Sequence, residues 1–287
     1  MQKTPITPDL SGVPTAFHRL LQGSSVYDSS SSPQARVWFI EKDSGYYLKC
    51  SAAGSLHHEA EMTRFFHRKG LAAEVLNYLP LENDWLLTRA VSGEDCVSAR
   101  HLAEPERLCD TLAAILHDLH AIDPSDCPIQ HTETYLRTAE HNYRAGMFDP
   151  AHIPEAAIYP SADAAWQAVQ QKKHLLRSDT LIHGDFCLPN IILQDWKPSA
   201  LIDFDHAGIG DRHVDLFWAL WSLRFNLKTD RYAARFLDAY GRDKVDPEAL
   251  QLIAAIEVFG EHERPGRGAL RPLPIFIDFP TVQILRI

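Results

Sequence analysis

Along the first third of the chain, apolar and polar residues alternate. Arg36–Glu41 (RVWFIE) is β-branched and aromatic, Asp43-Ser44-Gly45 is turn chemistry, and Tyr46–Cys50 resumes the alternation. In that second strand Tyr46, Leu48 and Cys50 share one face, while Tyr47 and Lys49 point to the other. The period then lengthens, predicting a helix over about 55–69 that Gly70 stops, and two further strands, about 74–79 and 84–88, complete a small sheet. Ala90-Val91-Ser92-Gly93 reads as a hinge. Beyond it Leu108, Leu112, Ile115, Leu116 and Leu119 recur at helical spacing, with Pro105 suited to a first turn. The stretch 146–162 is Pro-rich and irregular, a loop. Helices are expected over 163–176, 211–225, 230–240 and 247–259. The pattern as a whole is α+β: a strand-rich part over 1–90, a helical part over 91–260, and a C-terminal extension over 261–287.

Composition narrows the partners. The chain is 45% apolar and 23% charged, ordinary for a folded protein, and its 28 Lys and Arg against 38 Asp and Glu give a net charge of −10. That balance argues against a nucleic-acid partner, whose backbone needs clustered basic residues, and favours small cationic ligands. The five cysteines are odd in number and lack CxxC spacing, so they read as reduced thiols in a cytoplasmic protein. No basic stretch followed by an apolar run opens the chain, and the longest apolar cluster, around Leu216–Leu223, is too short to cross a bilayer. Neither a leader nor a membrane partner is expected; the oligomeric state is left open.

The chemistry concentrates between Leu181 and Asp215. Ile191-Ile192-Leu193 and Ala200-Leu201-Ile202 are short apolar strands joined by a turn over Gln194–Ser199. An antiparallel hairpin there sets Asn190 beside Asp203, two oxygen donors suited to Mg²⁺. Asp185, five residues before Asn190, is positioned to accept a proton from a hydroxyl that attacks phosphorus. Asp-x₄-Asn followed by Asp after a hairpin is the catalytic-loop and metal-loop layout of protein kinases, with His183-Gly184-Asp185 standing where those enzymes have His-Arg-Asp. His183 is expected to support the loop by hydrogen bonding. His117 and His120 have metal-pair spacing but no further ligands, and read as ordinary helix residues.

The first part of the chain supplies the complement. Glu59, Met62 and Phe66 lie on one helix face, and a carboxylate on an inward face is costly unless paired. Lys49 is the natural partner, the pair that in kinases holds the α- and β-phosphates of ATP. The Ser-rich turn Asp28–Pro33, which includes Ser32, offers N–H groups and hydroxyls to phosphates. Taken singly, Lys49 and Glu59 read as solvated surface charges and Asp203 as a turn residue. It is the HGD-x₄-N…ID combination, with two fixed spacings and a hairpin between, that carries the assignment.

HGDFCLPNIIL followed by IDFDHAGIGDRHVDL resembles the aminoglycoside phosphotransferase family, and the Cys-Leu-Pro before Asn190 resembles its 3′-phosphotransferase (kanamycin kinase) branch. The similarity runs over residues 1 to about 260, taking in the Ser-Pro loop, Tyr-Leu-Lys49, Glu59, LLTRAVSG, LHDLHAIDPSDCP and Glu257-Val-Phe259. It implies a protein-kinase-like bilobal fold with ATP between the lobes, and backbone contacts to adenine from Arg89 and Val91. Asp185 would be the base and Asn190 with Asp203 the Mg²⁺ ligands. The implied reaction is phosphorylation of an aminoglycoside 3′-hydroxyl, conferring resistance. Acidic residues, Asp149, Glu155 and Glu257, would meet the substrate's ammonium groups. The chain departs from the branch where Phe204-Asp205-His206 follows the metal Asp in place of an apolar residue, Gly and Arg, and where Trp221 and Phe225 replace Arg and Glu of some relatives. Kinases of another alcohol on the same fold (choline-like, amino-sugar or macrolide) and a silent nucleotide-binding protein are the competing readings. The extension past Gly260 is expected to be removable without loss of folding.

Overall fold

The alternating segments pair into a six-stranded antiparallel sheet in the order β1-β2-β3-β4-β6-β5: β1 Thr4–Ile6, β2 Ser25–Asp28, β3 Arg36–Glu41, β4 Tyr46–Ala52, β5 Val75–Pro80 and β6 Asn83–Arg89. The structure is a computed structural model and describes residues 3–31, 33–148 and 159–260. Register sets Trp38 opposite Leu48, and Leu48 opposite Leu87. That face buries with Val13, Phe17 and Leu21 from the segment of helix α1 (Thr15–Leu21), with Trp85 completing the core. The opposite face carries the row Val37, Lys49, Leu86, and Leu86 packs with Leu56 and Ala60 at the start of helix α2 (His57–Arg68). Strict period-2 patterning thus decides which side of the sheet receives the one lysine of β4.

The chain clusters into two compact units, Met1–Glu104 with His183–Ala207, and Pro105–Ile182 with Gly208–Ile287. Their limits differ from a boundary at the hinge. Past that hinge, β7 (Glu94–Asp95) and the short helix α3 (Ala99–Leu102) still belong to the first unit. A three-stranded sheet in the order β10-β9-β7 pairs β7 with the hairpin that follows β8 (Thr180–Ile182): β9 (Ile191–Gln194) and β10 (Lys197–Leu201). Gly93 makes this junction possible, because at φ +119° a Cβ would lie 2.4 Å from the Leu193 carbonyl oxygen.

The hairpin is tighter than Gln194–Ser199 suggests. Gln194 pairs with Lys197, and the turn is Asp195-Trp196, both left-handed at φ 51° and 64°, the two-residue turn that matches strand twist. A register shift between Pro198 and Ala200 accommodates the proline. The Trp196 ring rests on His101, 4.9 Å between centroids, so a tertiary contact holds a tryptophan where the local pattern would not place one.

In the second unit α4 (Pro105–His120), α5 (Thr132–Arg144), α6 (Ala162–Lys172), β11 (Gly208–Gly210), α7 (Arg212–Leu227), α8 (Ala233–Tyr240) and α9 (Pro247–Glu257) follow in order, and β11 pairs with β8. Leu108, Leu112, Leu116 and Leu119 are buried, as their spacing requires. Capping residues start three of the helices: Ser161 accepts from Ala164 N–H, Asp211 from His213 N–H, and Asp246, ahead of Pro247, from Glu248 N–H. Helix α5 has no counterpart in the hydrophobic pattern. Its buried face carries Ala139 and Asn142, and Asn142 donates to the carbonyls of Phe259 and Gly260 at 3.0 Å each, so hydrogen bonds replace an aliphatic stripe.

No described helix is long and apolar enough to cross a membrane. All five cysteines are buried and none is in a disulfide. Ser32, Asp149, Glu155 and the extension over 261–287 lie outside the described residues.

Candidate active site

Lys49 lies mid-strand in β4, and its Nζ donates to Glu59 Oε2 at 2.7 Å and to Asp203 Oδ1 at 3.0 Å. Glu59 is buried on the first turn of α2, whereas the Asp203 side chain is 47% exposed. Burial works against the Lys49 ammonium, but the carboxylates of Glu59 and Asp203 outweigh it and raise its pKa above the usual lysine value. Burial pushes the Glu59 carboxyl up against the pull of Lys49, with Asp203 and Asp205 adding repulsion. Asp203 moves the other way: its own desolvation is overcome by Lys49, with smaller help from His183 and His206, and its pKa is lowered. One ammonium is therefore shared by a buried carboxylate that positions it and a half-open one free to take a second cation.

Asp203 follows β10, and Ile202 N–H donates to the Asn190 carbonyl at 3.0 Å, so the hairpin brings the two ends together. The Asp185 loop approaches from the other side. Gly184, at φ +85°, has no room for a side chain, since a Cβ would lie 2.0 Å from the His206 carbonyl oxygen. His183 is fully buried, with Nε2 2.9 Å from the Ile202 carbonyl and Nδ1 accepting from Asp185 N–H at 3.3 Å. Those partners assign the proton to Nε2 and make His183 the brace expected of it. Asn190 ends a 3₁₀ turn over Leu188–Asn190, and its Nδ2 donates to the Asp185 carbonyl at 3.0 Å and to Asp185 Oδ2 at 2.8 Å. Both amide protons being directed at Asp185, the Asn190 amide oxygen is left for another partner. With Asp203 it forms a hard, oxygen-only donor pair of the kind Mg²⁺ takes. The described residues contain no group of three or more His, Cys, Asp or Glu able to hold a metal.

At the hinge, Arg89 N–H donates to the Glu74 carbonyl and Ala90 N–H to the Gly45 carbonyl, while among the described residues the Val91 N–H has no partner. The Arg89 side chain pairs with Glu74 at 3.0 Å, which leaves its role to the backbone. Tyr47 was not singled out by the motif, yet it shares the Lys49 face of β4 and its ring lies 5.2 Å from Phe39 of β3. Alternation shows the shared face; only the strand register adds Phe39. In the second unit Glu257 ends α9 and accepts from the Tyr135 hydroxyl at 2.6 Å; burial, then Glu257, raises the tyrosine pKa well above its usual value. His117 and His120 are spoken for by protein groups: Lys244 Nζ is 2.6 Å from His117, and His120 bonds Tyr240 and Asp215. Trp221 stacks on Phe225 at 5.1 Å with an interplanar angle of 7°.

A lysine shared by two carboxylates, beside a braced aspartate loop whose asparagine presents an oxygen, on an antiparallel sheet, defines a kinase-like phosphotransferase. The model described as "Phosphotransferase enzyme family" matches residues 29–253, and the chain belongs to that family. It is 46% identical over 249 residues, 86% of this chain and 95% of the relative, to a probable aminoglycoside 3′-phosphotransferase of Lactococcus lactis. Among solved structures, an aminoglycoside 3′-phosphotransferase of type VIII aligns with TM-score 0.65 at 23% identity, covering 81% of this chain and 91% of that one. An aminoglycoside phosphotransferase, APH(3″)-Id, from Streptomyces rimosus, solved with ADP and streptomycin, aligns with TM-score 0.61 at 22% identity over 88% and 99%. The family resemblance read from the HGD and IDFD motifs is borne out, as is the kinase-like α+β fold.

Proposed function

We propose that the protein transfers the γ-phosphoryl group of ATP to the 3′-hydroxyl of an aminoglycoside, in a Mg²⁺-dependent reaction. The observation that carries this reading is Lys49 held between Glu59 and Asp203, 2.7 and 3.0 Å away, next to a loop that aims Asn190 at Asp185. The name of the Lactococcus relative and the ADP–streptomycin complex of the Streptomyces enzyme support the substrate classes.

Lys49 supplies positive charge to the α- and β-phosphates, and Glu59 keeps its ammonium extended toward them. Asn190 and Asp203 are the residues that would hold Mg²⁺, which when bound neutralises charge on the triphosphate. Asp185 accepts the hydroxyl proton and orients the oxygen in line with phosphorus; the Asn190 amide holds it in position. The Arg89 carbonyl and Val91 N–H are the proposed adenine contacts, with Tyr47 as a flat surface for the base and Ser32 near the phosphates. Glu257, fixed by Tyr135, and Asp149 and Glu155 are the proposed partners of substrate ammonium groups.

A coupled assay over kanamycin, streptomycin, choline and a macrolide, with the phosphorylated position of the product read by NMR, separates the candidate substrates. Transfer to kanamycin at the 3′-oxygen is expected; transfer only to choline or the macrolide would overturn the substrate. Asp185→Asn is expected to cost about 100-fold or more in kcat while ADP still binds. Retention of more than about a tenth of kcat would remove Asp185 from the base role.

A further inference from the structure

The chain that follows Asp203 is anchored to α2 at two places. Asp203 sits at φ +66°, a left-handed conformation that a non-glycine residue keeps only with outside support. Phe204 provides one anchor, stacked on Phe66 of α2 at 4.4 Å with planes 17° apart, and Ala207 N–H closes a turn onto the Phe204 carbonyl at 3.1 Å. The other anchor is His58, whose Nε2 lies 2.7 Å from the Ala207 carbonyl oxygen. A carbonyl only accepts, so Nε2 carries the proton, and the neutral and the charged ring make the same bond. His58 immediately precedes Glu59. A single turn of α2 therefore holds the buried partner of Lys49 and the far end of the loop that starts at Asp203.

We propose that His58 is a positioning residue for the Asp203 loop. Its hydrogen bond to Ala207 holds the loop closed at the end opposite Asp203, so that the left-handed Asp203 keeps one carboxylate oxygen on Lys49 and the other open to a divalent cation. The role rests on Asp203 being a metal ligand, as in the proposed function. Phe66 and Phe204 supply apolar contact that tolerates sliding, whereas the hydrogen bond fixes a direction. Without it the loop retains its stacking and loses its register against α2.

The test compares His58→Leu, which removes the donor at similar bulk, with His58→Gln, which restores an N–H at similar reach, in the full chain. Amide hydrogen exchange is read over 203–207 without metal, and Mn²⁺ binding is read by electron paramagnetic resonance in the presence of ADP. His58→Leu is expected to exchange about five- to tenfold faster in that segment and to need about five- to tenfold more Mn²⁺ for half-saturation, the scale of one lost hydrogen bond. His58→Gln is expected to recover most of both. Unchanged exchange or unchanged Mn²⁺ affinity in His58→Leu overturns the role. So does a glutamine variant as impaired as the leucine one, or a leucine variant that fails to fold, since His58 would then be structural. Wild-type protein that binds no Mn²⁺ with ADP, or that is indifferent to Asp203→Ala, overturns the metal assignment and the role together. Normal behaviour of those two controls beside a silent His58→Leu removes His58 alone.

Discussion

Two polar clusters in this molecule use similar residues for opposite ends. In the first unit Lys49, Glu59 and Asp203 share one ammonium between two carboxylates, with Asp203 half-exposed and left-handed. In the second, His120 bonds Asp215 at 3.0 Å and Tyr240 at 2.8 Å, with the His120 and Asp215 side chains at 2% and 0% exposure. Burial lowers the His120 pKa against the pull of Asp215, and both ring nitrogens are used within the protein. The second cluster is closed and satisfied, and it ties α4 to α7 and α8. The first has spare oxygen capacity and excess negative charge, and it sits on a strained residue. Spare capacity together with strain, more than the presence of histidine and aspartate, distinguishes a cluster suited to a ligand from one that holds a fold.

The sharpest way to break this comparison is Gly184→Ala. The left-handed φ and the approach to His206 combine, so a loss of about 3 kcal/mol or more in stability is expected, together with loss of transfer. A variant with wild-type melting and kinetics would show that the two loops need not meet there. Asp215→Ala should act on stability alone. About 3 kcal/mol, or a fall of about 6–12 °C in Tm, is expected, while the KM for ATP measured well below the new Tm stays unchanged. A raised KM at normal Tm would reverse the contrast between the clusters.

Lys49→Met reads the first cluster from the other side. The KM for ATP should rise about tenfold or more, with the smaller effect on melting; an unchanged KM would separate Lys49 from the nucleotide. The smallest effect concerns Asp211 at the head of α7. Its desolvation is overcome by the His213 side chain and by N–H groups of Arg177 and His213, so its folded pKa is lowered. That stabilisation is complete above the ordinary aspartate value of 3.8 and fades as pH falls through the lower folded value. Asp211→Asn should cost about 1 kcal/mol near neutrality and flatten the acid limb of the stability curve. An acid limb identical to wild type would assign that titration to other carboxyls.

Much of this is legible in the amino-acid sequence. Period-2 alternation alone put Lys49 and Tyr47 on one face of β4, and helical spacing placed Glu59 inward with Met62 and Phe66, because strand and helix periods are local properties of the backbone. The spacing of Asp185, Asn190 and Asp203 around a hairpin is local in the same sense. What the tertiary structure decided involves partners distant in sequence or backbone states that no residue type announces. Helix α5 is held through Asn142 and the carbonyls of Phe259 and Gly260, and so carries no apolar signature. The hairpin turn closes at Asp195-Trp196 because His101 receives the indole, and the stretch after the hinge joins the first unit because Gly93 admits the Leu193 carbonyl. Asp203 adopts its left-handed conformation, and His58 reaches Ala207, only once α2 and the loop are packed side by side, 149 positions apart along the chain. Periodicity and spacing specify elements and the order of their chemistry; which oxygen faces which ammonium is set by packing, where the close approach of two backbones leaves a single arrangement.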